Sequence, residues 1–198
     1  MLNTLKSITL TIALAAAGTA GFADGHAKGW TLDGENSKLS FGSVKKEYVG
    51  EVHTFEDISG TVGADGAMAI DVNLASVETY IDIRNTRMIE HVFKDAATAT
   101  IASQIDMEAM NALAVGDMAV MDFDGTLSLI GTDVDLYTEV FVVRLSEDRM
   151  MATTDSMVFL DAEEAGIDAG ITKLMELAEL PSITRAAPVT LRLVFDAN

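Results

Sequence analysis

The segment 75–92 holds the densest group of polar side chains in this chain. Its charged and amide groups fall close together: Arg84, Asn85, Arg87, Glu90 and His91. Side chains of these types can form a catalytic site, or they can form a buried polar anchor that fixes the segment to the rest of the fold. Both interpretations stay open until the elements around the segment are considered.

Metal and nucleophile chemistry are disfavoured by the spacing of the available residues. His53 and His91 would have to converge with carboxylates such as Glu51, Glu56 or Glu90, because the chain has no HxH or HExxH motif. No G-x-S-x-G nucleophile elbow is present, and the absence of cysteine removes thiolate chemistry. The sequence therefore predicts no metal site, no catalytic residue and no cofactor.

Alternating segments flank 75–92 on both sides, which indicates that β-sheet positions it. Apolar residues occupy every second position over 68–74 and much of 121–129, a pattern typical of strands with one buried face. Inside the segment, Met88 and Val92 are i and i+4 neighbours. A short helix with one apolar side is therefore predicted there.

About eight strands separated by turns are predicted along the chain, with a second short helix over 171–180 that ends before Pro181. Residues 107–113 are ambiguous and fit a single helical turn. Long neighbouring strands joined by tight turns favour an all-β fold, an antiparallel eight-stranded barrel, because closure removes exposed edges. A β-sandwich is the alternative. No repeat or linker divides the chain, so residues 24–198 are predicted to form one domain.

Residues 1–23 have the form of a secretory signal peptide. Lys6 supplies a positive start, Ile8–Ala17 is an apolar run, and small residues stand at the two positions that signal peptidase reads. We expect cleavage after Ala23, with Ala27 as the second choice. No other apolar run is long enough to span a bilayer, so no integral span is expected after cleavage.

The charge of the chain limits its partners. The formal net charge is −18 at pH 7, and removal of residues 1–23 takes away Lys6 and no acid, which gives −19. This charge argues against nucleic acid and anionic membrane surfaces as partners. The absence of cysteine means that an exported form relies on its hydrophobic core and not on disulfides.

Several short motifs occur in a specific order along the chain. They are Trp30-Thr31-Leu32-Asp33 with Ser37 and Phe41, His53-Thr54-Phe55 with Gly60, Ala75-Ser76-Val77-Glu78-Thr79 with Ile83-Arg84-Asn85 and Arg87-Met88, Gly125-Thr126-Leu127-Ser128-Leu129-Ile130-Gly131-Thr132, and Pro188-Val189 with Leu193. Through this order and spacing, nearly the whole expected mature chain resembles the YceI-like family of exported lipocalin-like proteins. It departs from the commonest family pattern in having Asn85 where Asp is frequent, and in carrying the helical segment 171–180 before the last strand.

The resemblance implies an elongated antiparallel barrel whose apolar interior holds a polyisoprenoid chain, such as a quinone tail. An eight-stranded barrel is wide enough for its own side chains or for one slender ligand. The candidate lining is the apolar parity of the strands: Leu39, Phe41, Phe55, Ile70, Val72, Ile101, Phe123, Leu127, Leu129, Phe141, Phe159, Leu191, Leu193 and Phe195. The alternative is that these side chains pack against one another as an ordinary core.

The two arginines of the segment 75–92 carry two hypotheses. In the first, Arg84 or Arg87 faces the barrel mouth and binds a ligand head group, either a quinone carbonyl or a phosphate. In the second, the arginines pair with Glu78, Asp82, Asp95 or buried carbonyls and pin the short helix to the barrel, since buried charges usually belong to paired networks.

The function expected from these observations is that of a periplasmic carrier of a polyisoprenoid or similar long-chain lipid of quinone type, and not that of an enzyme. The alternative is a stress-related or interaction module whose barrel is filled by side chains. A homodimer is a further possibility, because strands left exposed by incomplete closure would pair between copies.

Overall fold

The computed structural model describes residues 28–198, so the predicted signal peptide and both predicted cleavage sites lie outside the described residues. The strands of this part are β1 (Trp30–Leu32), β2 (Lys38–Lys45), β3 (Val49–Phe55), β4 (Ile58–Val62), β5 (Ala67–Asn73), β6 (Val77–Glu78), β7 (Thr98–Gln104), β8 (Met118–Leu129), β9 (Thr132–Ser146), β10 (Arg149–Thr154), β11 (Val158–Asp161) and β12 (Ala186–Ala197). All their pairings are antiparallel.

These strands form eight positions around a closed wall. Four positions consist of two consecutive strands separated by a short irregular stretch. Thus β1 and β2 share the same neighbours, because β1 pairs with β4 and β12 while β2 pairs with β3 and β12. The same holds for β3 with β4, for β5 with β6, and for β10 with β11. The remaining positions are β7, β8, β9 and β12.

The wall closes where the first and last strands meet. Trp30 lies opposite Ala197, and Leu32 lies opposite Phe195. Closure confirms the antiparallel eight-stranded barrel and excludes the β-sandwich. It also removes the open edge on which the homodimer expectation depended, so a dimer stays a prediction without that support.

Three short α-helices accompany the barrel: α1 (Asp82–Arg87), α2 (Met107–Ala112) and α3 (Asp168–Leu177). The ambiguous segment near residue 107 is thus a helix, and the Asp106 carboxylate caps it by accepting from the N–H groups of Glu108 and Ala109, both at 3.0 Å. Helix α3 begins and ends three residues earlier than the predicted range 171–180.

The first helix of the segment 75–92 changes its winding halfway. Helix α1 continues directly into a π-helical turn, Met88–Val92, in which Met88 and Val92 are buried. Helix α3 packs against this turn so closely that a Cβ atom added to Gly170 would lie 2.5 Å from the His91 carbonyl oxygen. The lack of a side chain at residue 170 therefore sets the distance between α3 and the turn.

Strand alternation decides which side chains reach the interior. In β5, Met68, Ile70 and Val72 are buried while the intervening residues are exposed. The other strands follow the same rule in register, as in the pairing of Ile70 with Ile101 on β7. At the end of the barrel that carries the β9–β10 turn, Arg149 forms ion pairs with Asp33 and Asp196 and so joins β10 to the neighbouring wall.

Candidate functional site

A long cavity of about 890 Å³ runs inside the barrel. Its two ends differ, and we name them by their helices. At the α3 end, the wall includes Arg84, Arg87 and Leu174. At the α2 end, it includes Trp30 and Met110. The volume lies in the range of about 300–1,000 Å³ typical of sites that enclose small molecules. The barrel is not filled by its own side chains, so the alternative of a solid interior is wrong.

Nearly all residues predicted to line the interior do line this cavity. They are Leu39, Phe41, Phe55, Ile70, Val72, Ile101, Phe123, Leu127, Leu129, Leu191, Leu193 and Phe195. Both candidate arginines also reach the wall. The strand parities thus bring together one continuous apolar surface.

Phe141 and Phe159 do not line the cavity, so the prediction was wrong for these two positions. Strand β9 is apolar on both faces, and its inward positions are Val140 and Val142, which turns Phe141 outward beside Val120 of β8. Phe159 lies between inward residues of the short strand β11 and is 63% exposed.

Other lining residues were absent from the predicted set. Met68 and Leu74 belong to the same alternation as Ile70 and Val72, so strict use of that alternation would have included them. Met88 and Val92 come from the π-helical turn, and the apolar side of the predicted short helix was the available signal. The apolar lining therefore includes this helical turn as well as the strands.

The α3 end contains a polar cluster in which His53 is buried and the other members are half-buried: Ser43, Lys45, Glu51, His53 and Arg84. Glu51 links two cations, since one oxygen accepts from Lys45 Nζ at 2.8 Å and the other from Arg84 Nη1 at 2.8 Å. Burial raises the pKa of Glu51, but the hydrogen bonds from Lys45 and Arg84 outweigh burial and lower it on balance. The cluster therefore holds two positive charges and one negative charge.

His53 completes the cluster as a neutral group. The side chain is buried, and its Nε2 lies 3.1 Å from Ser43 Oγ while its ring packs beside Phe41. Burial, helped by the positive charge of Arg84, lowers the pKa of His53 to about 4. Its Nδ1 and the Nε of Arg84 are buried without a hydrogen-bond partner in the described structure. Two polar atoms of the cluster are thus left unsatisfied by protein.

The arginines also anchor the helical segment, although mostly through partners other than those predicted. Besides Glu51, Arg84 donates to the carbonyl of Thr79 at 2.5 Å, and Arg87 donates to the carbonyl of Leu177 at the end of α3, at 3.3 Å. Arg87 thereby joins the segment 75–92 to α3. The predicted anchoring to backbone carbonyls therefore fits this geometry. The carboxylate that pairs with Arg84 is Glu51, and not Glu78, Asp82 or Asp95 as predicted.

The hydrogen bonds of Asn85 explain why an asparagine fits at this position, where the family frequently has aspartate. Its Oδ1 accepts from the N–H of Thr79 at 2.9 Å, and its Nδ2 donates to Glu78 at 3.2 Å. An aspartate would lack this amide donor and would place a second carboxylate beside Glu78. The residue is therefore part of the loop that leads into α1.

The described residues offer little to metal chemistry. Within 28–198, no group of three or more histidine, aspartate or glutamate side chains is arranged to hold a metal ion. None of the helices in this range is long and apolar enough to cross a bilayer. The site is a deep, largely apolar cavity with a charged, hydrogen-bonding cluster at the α3 end, and its lining elsewhere includes Gln104, Asp106, Asp122 and Asp124.

Two solved structures share the fold. A polyisoprenoid-binding domain from Saccharophagus degradans, implicated in plant cell wall breakdown, is 36% identical and superposes with a TM-score of 0.84, over 85% of this chain and 98% of that domain. BcnA from Burkholderia cenocepacia is 15% identical, with a TM-score of 0.60 over 82% of this chain and 98% of its own, which shows the fold alone. Comparison with curated proteins gave no significant match.

The family model for the YceI-like domain matches residues 30–195, which include all three helices and every strand of the barrel wall except the last two residues of β12. The match covers most of the chain and agrees with the closed barrel, its apolar interior and the similarity to the Saccharophagus domain. This protein therefore belongs to the YceI-like domain family.

Proposed function

We propose that this protein binds a polyisoprenoid lipid inside its barrel and carries it across the periplasm without making or breaking bonds. The observation that carries the proposal is the long, largely apolar cavity with a charged cluster at its α3 end, in a chain that is 36% identical to a polyisoprenoid-binding domain. The signal-peptide form of residues 1–23 supports the compartment.

Burial of the apolar surface of the lipid inside the barrel supplies the driving force for such binding. Each square ångström of apolar surface removed from water contributes about 25 cal/mol, and a prenyl chain offers little else to recognise. A slender chain also fits an eight-stranded barrel better than a bulky ligand does. The apolar wall therefore selects for shape and length, while the polar cluster is left to select the head group.

A quinone-type head group is our proposal for the polar end. Lys45 and Arg84 offer only hydrogen-bond donors, and they outnumber the single carboxylate of Glu51. A carbonyl oxygen accepts from such donors without bringing a further positive charge. The Nε of Arg84 is a buried donor without a partner, which costs about 1–3 kcal/mol. A head group with an acceptor oxygen would relieve this cost, which also supports a quinone carbonyl.

The primary test is extraction of the ligand. Protein purified from its native host should release a long-chain isoprenoid into organic solvent, identified by mass spectrometry. The control is a column fraction from the same purification that has equal total protein content but does not contain this protein. An extract free of any apolar chain from well-folded protein would contradict the proposal.

The head-group assignment has a separate test. Arg84→Met should reduce retention of a geranylgeranyl benzoquinone about fivefold or more, and should change retention of the matching geranylgeranyl hydrocarbon far less. Arg87→Met is the matched variant, since its guanidinium binds the Leu177 carbonyl, and it should leave the ratio of the two retentions unchanged. Equal losses of both ligands in Arg84→Met would show that Arg84 only supports the fold.

A further inference from the structure

Five of the twelve exposed large apolar side chains in the described residues lie near the α3 end of the cavity, and the other seven come from other parts of the chain. Tyr48, Val52, Tyr80, Ile81 and Ile83 are all exposed, with Tyr48 at 81% and Tyr80 at 76%. They come from two separate stretches of the chain. We call this group the rim. Exposed tyrosine and isoleucine side chains are costly in water unless something else covers them.

The pairing of the strands brings the two stretches together. Glu78 of β6 lies opposite Thr54 of β3, so Tyr80, two residues after Glu78, and Val52, two residues before Thr54, lie at the same end of this strand pair. Arg84 and Glu51 form the ion pair between these stretches at 2.8 Å. The rim is thus one surface and not a scatter of separate residues.

Backbone geometry holds the tyrosines outward. Lys46 and Glu47 adopt positive φ angles at the tip of the β2–β3 hairpin, directly before Tyr48, and Tyr80 itself has a φ of 62°. The hairpin tip is fixed by the N–H of Lys46, which donates to the Ser182 carbonyl at 3.1 Å. Left-handed conformations of non-glycine residues are uncommon, so this presentation is specified by the surrounding contacts.

The rim is continuous with the interior. Ile81 and Ile83 are exposed to solvent and also line the cavity, and the half-buried Leu180 and Ile183 line it as well. An apolar path therefore leads from the outer surface into the barrel at the α3 end. A bilayer is the partner that both covers such a surface and supplies an apolar chain to the path.

The charge distribution permits this contact. The three stretches around the opening, 44–52, 77–92 and 178–185, carry formal charges of zero, −1 and zero, whereas the whole chain carries −18. These three stretches therefore add little to the repulsion between an acidic protein and a membrane surface, whereas the neighbouring residues 161–177, which contain α3, carry −4. Lys46 at the hairpin tip can direct its ammonium group to a lipid phosphate while tyrosine rings occupy the interface.

We propose that the rim is a membrane-docking surface that seats the open end of the barrel on a phospholipid bilayer, so that the apolar chain passes between bilayer and cavity without crossing water. The transfer of a lipid chain through this surface rests on the proposed lipid-binding function. Docking itself is a property of the outer surface, however, and is measurable without any ligand.

The test uses vesicles of pure phosphatidylcholine and a double variant, Tyr48→Asn with Tyr80→Asn, because neither tyrosine lines the cavity and asparagine tolerates positive φ. The matched control is Met118→Ser with Val120→Ser, which removes two exposed apolar side chains from the outer wall of β8. Thermal melting and circular dichroism establish that both variants are folded.

The rim variant should lose about fivefold or more of the vesicle-bound fraction in flotation, and its rate of uptake of a fluorescent geranylgeranyl lipid from the vesicles should fall in proportion. The control variant should match the unmodified protein in both measurements. Equal flotation by rim variant and control, or no flotation by the unmodified protein, would overturn the docking proposal.

The same experiment separates this proposal from the proposed function. The rim variant should reach the same final occupancy by the fluorescent lipid as the unmodified protein when detergent delivers it, because the cavity is unchanged. Vesicle binding that depends on the tyrosines, together with no lipid uptake by any variant, would support docking and contradict lipid carriage. Retained lipid uptake with no vesicle binding would support carriage and overturn docking, and would assign delivery to a partner protein.

Discussion

Glu51 holds the polar end of the cavity together, because each of its carboxylate oxygens binds a different cation. Lys45 comes from the neighbouring strand, and Arg84 comes from the helical segment on the far side. Removal of the carboxylate would leave two partly buried positive charges close to each other. The residue therefore links the barrel wall to the element that covers its open end.

His53 makes stability depend on pH in a defined direction. Its pKa is about 4 in the folded protein, below the ordinary value of 6.5, so the unfolded chain binds a proton first as the pH falls. The neutral ring is fully favourable above pH 6.5, and stability is lost as the pH falls from about 6.5 to 4, by up to about 3 kcal/mol.

The variant His53→Phe keeps a ring beside Phe41 and removes the titration. Its free energy of unfolding, measured in urea at several pH values, should fall less steeply between pH 6.5 and 4 than that of the unmodified protein. Below about pH 4.5 both proteins should weaken together, because the lowered pKa of Glu51 means that the unfolded chain binds this proton before the folded protein does. Parallel curves above pH 4.5 would contradict the assignment.

The sequence predicted the arginines of this site but not their partners. Arg84 was singled out because a short motif surrounds it, whereas Lys45 and Glu51 look like ordinary charges on a strand. Their inward direction depends on the pairing of Gly42 with Val52, a register set by contacts across the sheet. His53 belonged to a recognised motif, yet its burial depends on contacts across the sheet such as that with Phe41.

The alternation of apolar and polar residues correctly predicted strands, and their inward-facing residues, where only one face of the strand is apolar. Strand β5 and most of β8 were predicted in this way, and their inward residues line the cavity. Strand β9 was harder, because Val140 and Phe141 point in opposite directions and both are apolar. Local sequence also gave no sign of the π-helical turn, since a change in helical winding is imposed by what packs against it.

The contact between α3 and that turn leads to a prediction about elements. Gly170→Ala places a methyl group 2.5 Å from the His91 carbonyl oxygen and 2.6 Å from Val92 Cα, so the backbone must move. The strain, about 1–3 kcal/mol, should exceed the gain in helix propensity of up to about 1 kcal/mol. The melting temperature should fall by several degrees.

Gly50→Ala is the matched control for this measurement. A Cβ atom at residue 50 would meet nothing within 4 Å, and this glycine does not have a positive φ angle. The substitution should therefore be neutral or slightly stabilising. A fall in melting temperature shared by both variants would attribute the effect of Gly170→Ala to something other than the contact with the π-helical turn.

At the scale of the whole molecule, net charge is the main global variable. A chain with a charge of −18 repels itself when compact, and salt screens this repulsion over a Debye length of about 10 Å at 0.1 M. The melting temperature should therefore rise between about 10 mM and 500 mM sodium chloride. A fall over the same range would mean that ion pairs such as those of Arg149 outweigh the general repulsion.

Strand β12, which closes the wall, also governs when the fold is able to form. It pairs with β1, β2, β10 and β11, so no complete ring of hydrogen bonds exists until the last barrel strand has been synthesised. Contacts between residues this far apart in sequence form slowly. A growing chain therefore lacks its enclosed interior until β12 has been synthesised and has paired with β1 and β10.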